Sequence, residues 1–330
     1  MKQFIKYIIL ISTLTIALQY LCDFMYTQVY LNSTPRNKLQ YILNTKNKSF
    51  DIVFMGSSRV ANHVDTKLFD SLSNKKTINL GVEGAGLNDN LLQLKLLIAN
   101  NTISNVFLQI DSNYEYDSPS NIAISEAMPF LNYNSIINSH IKKYFSNSKK
   151  LEYLPFYRYA INDPKIGFRE LCFSIANKKP RTNPSIGFTP KFGNTLPLNE
   201  SSLPKTIKLK NIILDEITDI CRKNKIQLTL YISPYCSKTK KMKYIEKLIT
   251  KVPNLIDLSK GYDDKLFFNC GHLNNQGAKI FTTNLHNITK NKKVNHESTT
   301  TSKKIGILPF FYPINTPFHL NTSLLIAFRN

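Results

Sequence analysis

Acidic residues are scarce in this chain: 22 Asp and Glu stand against 43 Lys and Arg, a formal net charge of +21. Cysteine is scarce too, with five in all, and no two of them form a Cys-x-x-Cys pair or a metal-ligand spacing. Those absences exclude a cysteine-built metal site and a disulfide-built scaffold. They leave room for one bridge among Cys172, Cys221, Cys236 and Cys270, provided the domain is exported. No stripe alternates basic with exposed aromatic residues and no nucleic-acid-binding motif occurs, so the excess charge does not read as a nucleic-acid interface. The lysines instead lie scattered in Asn/Lys/Ser-rich loops such as 44–49 and 147–150. They read as a solvated positive surface, suited to anionic lipid headgroups or an acidic polysaccharide.

What is present begins with an apolar N-terminus. Residues Tyr7 to Cys22 carry no charge and follow Lys2 and Lys6. As a helix this run spans roughly 24 Å, slightly short of a bilayer core. Snorkelling lysines at one end and Phe24, Met25 and Tyr26 at the other can supply the rest. A cleaved signal peptide would want a small-x-small site, and Leu18-Gln-Tyr-Leu-Cys22 offers none. The expectation is an uncleaved signal anchor over residues 1–26, with a cytoplasmic N-terminus and the rest of the chain outside the membrane.

Residues 27–49 read as a polar stalk with a short helix around Lys38 to Leu43. An α/β pattern follows over 50–288. Apolar strands are expected at Ile52 to Met55, Thr77 to Leu80, Val106 to Ile110, Ile226 to Ile232 and Leu255 to Leu258. Helices are expected at Asp65 to Ser73, Leu91 to Ala99, Lys205 to Lys223 and Asn275 to Ile288. Strands alternating with helices in short units imply a parallel sheet covered on both faces, a three-layer α/β sandwich. The stretch from about 114 to 204 breaks the rhythm; it is rich in Tyr, Phe, Asn, Ser and Pro and reads as an insertion able to cap a site. Beyond 289 lies a low-complexity tail, expected without structure over 290–305, whose prolines 309, 313 and 317 argue against a second span.

The candidate chemistry sits at the strand ends. Asp51 to Arg59 is a buried strand running into a small-residue turn that delivers Ser58, and crevices in parallel sheets open at the carboxyl ends of their strands. Taken alone, Gly56-Ser57-Ser58 is an ordinary turn. Asn79 to Gly84 follows the second strand, where glycine lets an N–H approach a developing oxyanion. Asp111-Ser112-Asn113 follows the third, with an Asn amide as a further donor; Asn in a loop is otherwise a plain turn former. His272 precedes the last helix and is the candidate base. His63 is its rival, ranked lower because it follows Ser58 too closely in sequence. Arg59 reads as a surface ion pair or a contact to an acidic substrate.

Serine, glycine, asparagine and a late histidine, in that order at successive element ends, resemble the SGNH (GDSL-type) hydrolase superfamily. Its Gly-Asp-Ser block is similar to Gly56-Ser57-Ser58, its glycine block to Gly84, its Gly-x-Asn block to Asp111-Ser112-Asn113 and its Asp-x-x-His block to Asn269-Cys-Gly-His272. The resemblance covers about residues 50–288. It implies a flavodoxin-like parallel sandwich, Ser58 as nucleophile, His272 as base and an oxyanion hole of Ser58, Gly84 and Asn113, with no metal or organic cofactor. Gly-Ser-Ser-Arg and His-Leu-Asn-x-x-Gly-Ala behind a signal anchor look most like the extracytoplasmic branch associated with envelope polysaccharide. That likeness implies acyl esterase or O-acyltransferase activity on a glycan, with a membrane acyl-donor partner in the transferase case.

One departure bears on all of this: the aspartate that would orient the histidine is Asn269. In a serine-protease triad that change costs about ten-thousand-fold, through the wrong histidine tautomer. Asp263 or Asp264 would be a substitute carboxylate. The readings left open are a slower dyad, a transferase with a preactivated donor, and a catalytically degenerate glycan-binding or assembly protein. An unrelated α/β binding domain requires four block matches in order to be accidental.

Overall fold

The computed structural model describes residues 1–195 and 197–298; the expectations for the tail beyond 298 lie outside the described residues. Five parallel strands form the central sheet: β1 (Ser49–Met55), β2 (Thr77–Asn79), β3 (Thr102–Gln109), β4 (Gln227–Ile232) and β5 (Ile256–Asp257). Their spatial order is 2-1-3-4-5, the doubly wound order of flavodoxin-like sheets. The side-chain period of two feeds two separate cores. Val53 and Met55 of β1, with Val106 and Leu108 of β3, enter one core; Ile52, Phe54 and Phe107 enter the other. That is why these strands read as unbroken apolar runs.

The first core is covered by α2 (Lys38–Asn44), α5 (Leu87–Ile98), α6 (Ile212–Lys223) and α7 (Lys243–Lys251), through Leu39, Leu91, Ile213 and Ile245 among others. The second core is covered by α4 (Thr66–Ser73) and α8 (Asn275–Ser298), through Phe69, Phe281 and Leu285. Each such fully buried side chain contributes about 1.5–3 kcal/mol of transfer free energy. The chain divides into two compact units, Met1–Asn287 and Ile288–Asn330. Helix α8 runs to Ser298, so the first residues of the 290–305 stretch expected without structure are helical.

Helix α5 and strand β3 each begin four residues earlier than the sequence reading, and three further boundaries differ. The N-terminal helix α1 (Lys2–Asn32) does not stop near residue 26, and with an 18-residue window of mean hydropathy 1.8 it is long and apolar enough to cross a membrane. Its apolar side chains from Phe4 to Met25 are exposed, whereas Thr27 and Tyr30 are buried. Residues 27–49 are therefore no free stalk: Tyr30, Leu39 and Ile42 belong to the first core. Finally, the helix expected from Lys205 begins only at Ile212, because Asn211 caps it, its side chain accepting from the Leu214 N–H at 2.8 Å.

The insertion is mostly short helices, the last three being Tyr157–Ala160, Asp163–Ile166 and Phe168–Ile175. Its return segment is strapped across the rest of the domain. The Thr189 N–H donates to the Ala61 carbonyl at 2.8 Å, the Asn275 N–H to the Lys191 carbonyl at 2.6 Å and the Thr195 N–H to the Phe268 carbonyl at 2.9 Å. A two-residue parallel ladder, Ser201–Ser202 with Thr239–Lys240, closes it.

Candidate active site

Strand β1 ends at Met55 and gives way to Gly56, a position that only glycine suits. Its φ is +152°, and a Cβ there would lie 2.5 Å from Val60 and 2.8 Å from Gln109. The chain then turns into the short helix α3 (Ser58–His63), capped by Ser57, whose hydroxyl accepts from the Arg59 N–H at 3.3 Å. Ser58 is thus the first residue of a helix held at the carboxyl end of a central strand. Gln109, fully buried at the end of the neighbouring β3, fixes this turn. Its Oε1 accepts from the Ser57 N–H at 3.1 Å and from the Ser57 hydroxyl at 2.9 Å, while its Nε2 donates to Asp111 at 2.6 Å. Sequence reasoning missed Gln109; the available signal was a glutamine closing an otherwise apolar strand.

His272 comes from the opposite side, on an antiparallel hairpin of β6 (Phe267–Asn269) and β7 (His272–Leu273). Its Nε2 lies 2.8 Å from the Ser58 Oγ, and its Nδ1 lies 3.0 Å from the Asn269 Oδ1. The Gly271 N–H donates to that same Oδ1 at 3.0 Å. An atom that accepts from a backbone N–H must be the amide oxygen, so His272 Nδ1 is the donor of its pair. The lone pair is then on Nε2, where it accepts the Ser58 O–H. This is the tautomer a general base needs. The hairpin therefore removes the defect that asparagine introduces in a serine-protease triad, leaving only the missing negative charge.

The other candidate residues line the same cleft, a cavity of ≈430 Å³ bounded by Ser57, Ser58, Gly84, Asp111, Asn113, Tyr116 and His272 among others. The N–H groups of Ser58 and Gly84 have no partner among the described residues. The Asn113 amide donates one hydrogen to the Gln109 carbonyl at 3.2 Å, and its oxygen accepts from the Asp111 N–H at 2.9 Å. Gly84 has φ +75°, which glycine adopts freely. Its loop is held from behind by Asn79, the first residue of the block singled out in the sequence, and by Lys38, which sequence reasoning missed. Asn79 donates to the carbonyls of Val60 and Val64 at 2.7 and 2.9 Å and accepts from the Gly81 N–H at 3.0 Å. The buried Lys38 ammonium donates to the Gly81 carbonyl, and burial pushes its pKa down to about 7.

Other expectations are corrected by the contacts. Arg59 is no surface ion pair: it is buried, stacks 3.8 Å over the Tyr235 ring, faces the Asp111 carboxylate at 3.7 Å and donates to the Pro234 carbonyl at 3.0 Å. His63 is no rival base, since its Nε2 accepts from the Leu273 N–H at 2.9 Å, pinning the hairpin to α3. Burial, then the nearby Arg59 and His272, hold its pKa well below the ordinary histidine value. Nor do Asp263 and Asp264 supply the absent carboxylate. Asp263 caps the Lys265 N–H at 2.8 Å, and Asp264 is bound to Ser237 through its N–H at 2.8 Å and hydroxyl at 2.5 Å.

Burial, followed by the charges of Arg59 and Lys191, pushes the His272 pKa down to about 4, against a small upward pull from Glu83. The imidazole is accordingly neutral across the physiological range and ready to take a proton, but a weak base once it must hold one. A bridge between Cys236 and Cys270 anchors the hairpin, with Cα atoms 5.2 Å apart. Among the described residues no group of three His, Cys, Asp or Glu side chains is arranged to hold a metal ion.

No family model and no curated protein matches this sequence. Among solved structures, one described as a candidate platelet activating factor from Streptococcus pneumonia matches with a TM-score of 0.33 at 10% identity, over 86% of this chain and 98% of that one. A gut microbial diltiazem-metabolizing enzyme matches with a TM-score of 0.24 at 13% identity, over 73% of this chain and 47% of that one. Likeness this distant decides nothing about chemistry, which rests on the geometry of Ser58, His272 and Asn269.

Proposed function

We propose that the chain is a membrane-anchored serine esterase or O-acyltransferase of SGNH type acting on acyl groups of an envelope or exported polysaccharide. The observation that carries this reading is the hydrogen-bonded relay from Asn269 through His272 to Ser58. His272 takes the Ser58 proton through Nε2 as Ser58 attacks an acyl carbonyl. The Ser58 and Gly84 N–H groups and the Asn113 amide receive the oxyanion. Collapse of the tetrahedral adduct breaks the ester bond, and the leaving oxygen takes the proton from His272. Water or a sugar hydroxyl then attacks the acyl-serine, giving hydrolysis or transfer. The glycan assignment is supported by an open cleft with Tyr116 exposed at its edge, an aromatic face of the kind sugars stack on. The extracytoplasmic placement is supported by α1, long and apolar enough for a span, and by the Cys236–Cys270 bridge, which an oxidising environment maintains.

The test is labelling of the full-length protein with a fluorophosphonate probe. Wild type is expected to label, and Ser58→Ala and His272→Ala are expected to stay dark. Labelling of Asn269→Asp alone would instead favour the second reading, a degenerate glycan-binding protein, which the loss of the carboxylate specifically motivates.

Kinetics supply a sharper prediction for Asn269→Asp. A hydrogen bond to a charged partner is worth on the order of 1.5–3 kcal/mol against about 0.5–1.5 for a neutral one, and the excess of roughly 1–1.5 kcal/mol predicts a roughly 5- to 10-fold rise in turnover of an activated ester. The pH profile checks the cause. Neutral His272 is the working form, so wild-type turnover is expected to fall only as pH drops through about 4. The added anion stabilises the imidazolium, so in Asn269→Asp the acid limb is expected at higher pH. An unmoved limb would rule out this account of the gain.

A further inference from the structure

The outer face of the insertion is apolar where a soluble domain would be polar. In the helix Phe168–Ile175, Leu171 and Ser174 face inward and are buried. Yet Phe168, Cys172 and Ile175, spaced i, i+4, i+7, form a second stripe on the exposed side, with Phe168 68% and Ile175 62% exposed. Such spacing puts all three on one face. Tyr153, Leu154 and Ile161, on the short helices just before it, are likewise exposed. An apolar face of this kind, left open, marks a contact with something else.

Its position relative to α1 says what that is. The helix Phe168–Ile175 packs against α1. Asp23, at the level where the exposed apolar side chains of α1 end, accepts from the Phe156 N–H at 3.0 Å and from Arg158 at 2.6 Å. Thr27 bonds the Tyr159 hydroxyl at 2.6 Å, and the Tyr26 ring meets Phe156 edge-on at 5.0 Å. Tyr153 and Leu154 precede Phe156 by three and two residues, so they lie within about 11 Å of it along the chain. Tyr153 and Leu154 therefore lie near the point where α1 leaves its own apolar stretch, and the helix Phe168–Ile175 flanks the same half of α1. The charge of the surrounding chain fits as well. Between residues 165 and 181 lie Lys165, Arg169, Lys178, Lys179 and Arg181, against the single acid Glu170, which is paired with Arg36. Aromatic and aliphatic side chains fringed by basic ones suit the headgroup region of an anionic bilayer.

We propose that the insertion is a membrane foot: the stripe of Phe168, Cys172 and Ile175, with Tyr153 and Leu154, lies in the interface of an anionic lipid bilayer beside α1. The proposal rests on the reading of α1 as a membrane span. It adds a second, peripheral contact that stops the domain from swivelling on a single helix. The segment that begins the insertion, Tyr116 to Ser120, forms one wall of the Ser58 cleft. A foot on the bilayer thus fixes how the cleft faces the membrane surface, as a site working on a chain that emerges there requires.

The chain contains no tryptophan, so single reporters can be placed in the full-length protein. Phe168→Trp and Ile175→Trp would be compared with Leu72→Trp on α4, which packs on the opposite core. Each would be reconstituted in phosphatidylcholine–phosphatidylglycerol nanodiscs, with and without brominated acyl chains. The expected result is blue-shifted emission, lost on bromination, for the two insertion variants and unchanged, water-like emission for Leu72→Trp. Emission from Phe168→Trp and Ile175→Trp matching Leu72→Trp, in protein that co-purifies with the discs, would overturn the foot while leaving the span intact, and would point to a protein partner as the cover. Failure of every variant to enter the discs would instead refute the span, and the foot with it.

Discussion

Ser58→Ala and His272→Ala are each expected to lower the turnover of an activated ester by on the order of a hundred-thousand-fold, and the double variant by no more than either alone. A complete triad is worth roughly a million-fold, and its members fail together because each acts through the next. Here the orienting residue is neutral. Its absent charge forfeits about 5- to 10-fold, consistent with the gain expected for Asn269→Asp, and leaves about 10⁵. The loss stops there because Asn269 still fixes the tautomer, by accepting from Gly271 and His272 at one oxygen. Steady-state kinetics on the three variants would check this. Additive losses in the double variant would mean that Ser58 and His272 act separately and that the 2.8 Å contact between them does not carry the reaction.

The second large effect is on stability. Cys236 and Cys270 close a loop across a sequence separation of 34, for which chain entropy gives about 4 kcal/mol of stabilisation. Cys236→Ala with Cys270→Ala is therefore expected to lower the denaturation midpoint strongly, and a reducing agent to do the same to wild type. Cys172→Ser, which removes an exposed free thiol, is expected to change little. Equilibrium unfolding in guanidinium chloride reads both. The bridge also bears on catalysis, because Cys270 lies between Asn269 and His272 on the hairpin. Its loss is expected to reduce turnover before the protein unfolds. Unfolding midpoints that coincide for the bridged and unbridged forms would mean that the hairpin is held by other contacts, such as Leu273 to His63.

Much of this protein was legible in its residue order. The unbroken apolar run in Ile52-Val-Phe-Met55 and Val106-Phe-Leu108 is a local property, and it fits a sheet covered on both faces because each parity must find an apolar partner. Ser58, Gly84, Asn113 and His272 stood out because strand ends and turns are written in short words, Gly-Ser-Ser and Asp-Ser-Asn among them. The apolar run of α1 was equally plain, since hydropathy needs no fold to be read.

Only the tertiary structure decided the rest, because it depends on contacts between residues far apart in sequence. Asn269 reads as a broken triad until the Gly271 N–H is seen to lock its amide. Arg59 reads as a surface charge until Tyr235 and Asp111 enclose it. His63 and His272 are chemically identical in sequence; the first pins the hairpin because Leu273 presents its N–H to it, and the second faces the candidate nucleophile because Ser58 presents its hydroxyl. The supposed stalk is part of the core because Tyr30, Leu39 and Ile42 meet apolar partners that no local pattern announces. Sequence fixes which groups exist and which local shapes they favour, while hydrogen-bond direction, burial and charge environment arise only when the folded chain brings distant segments within a few ångströms.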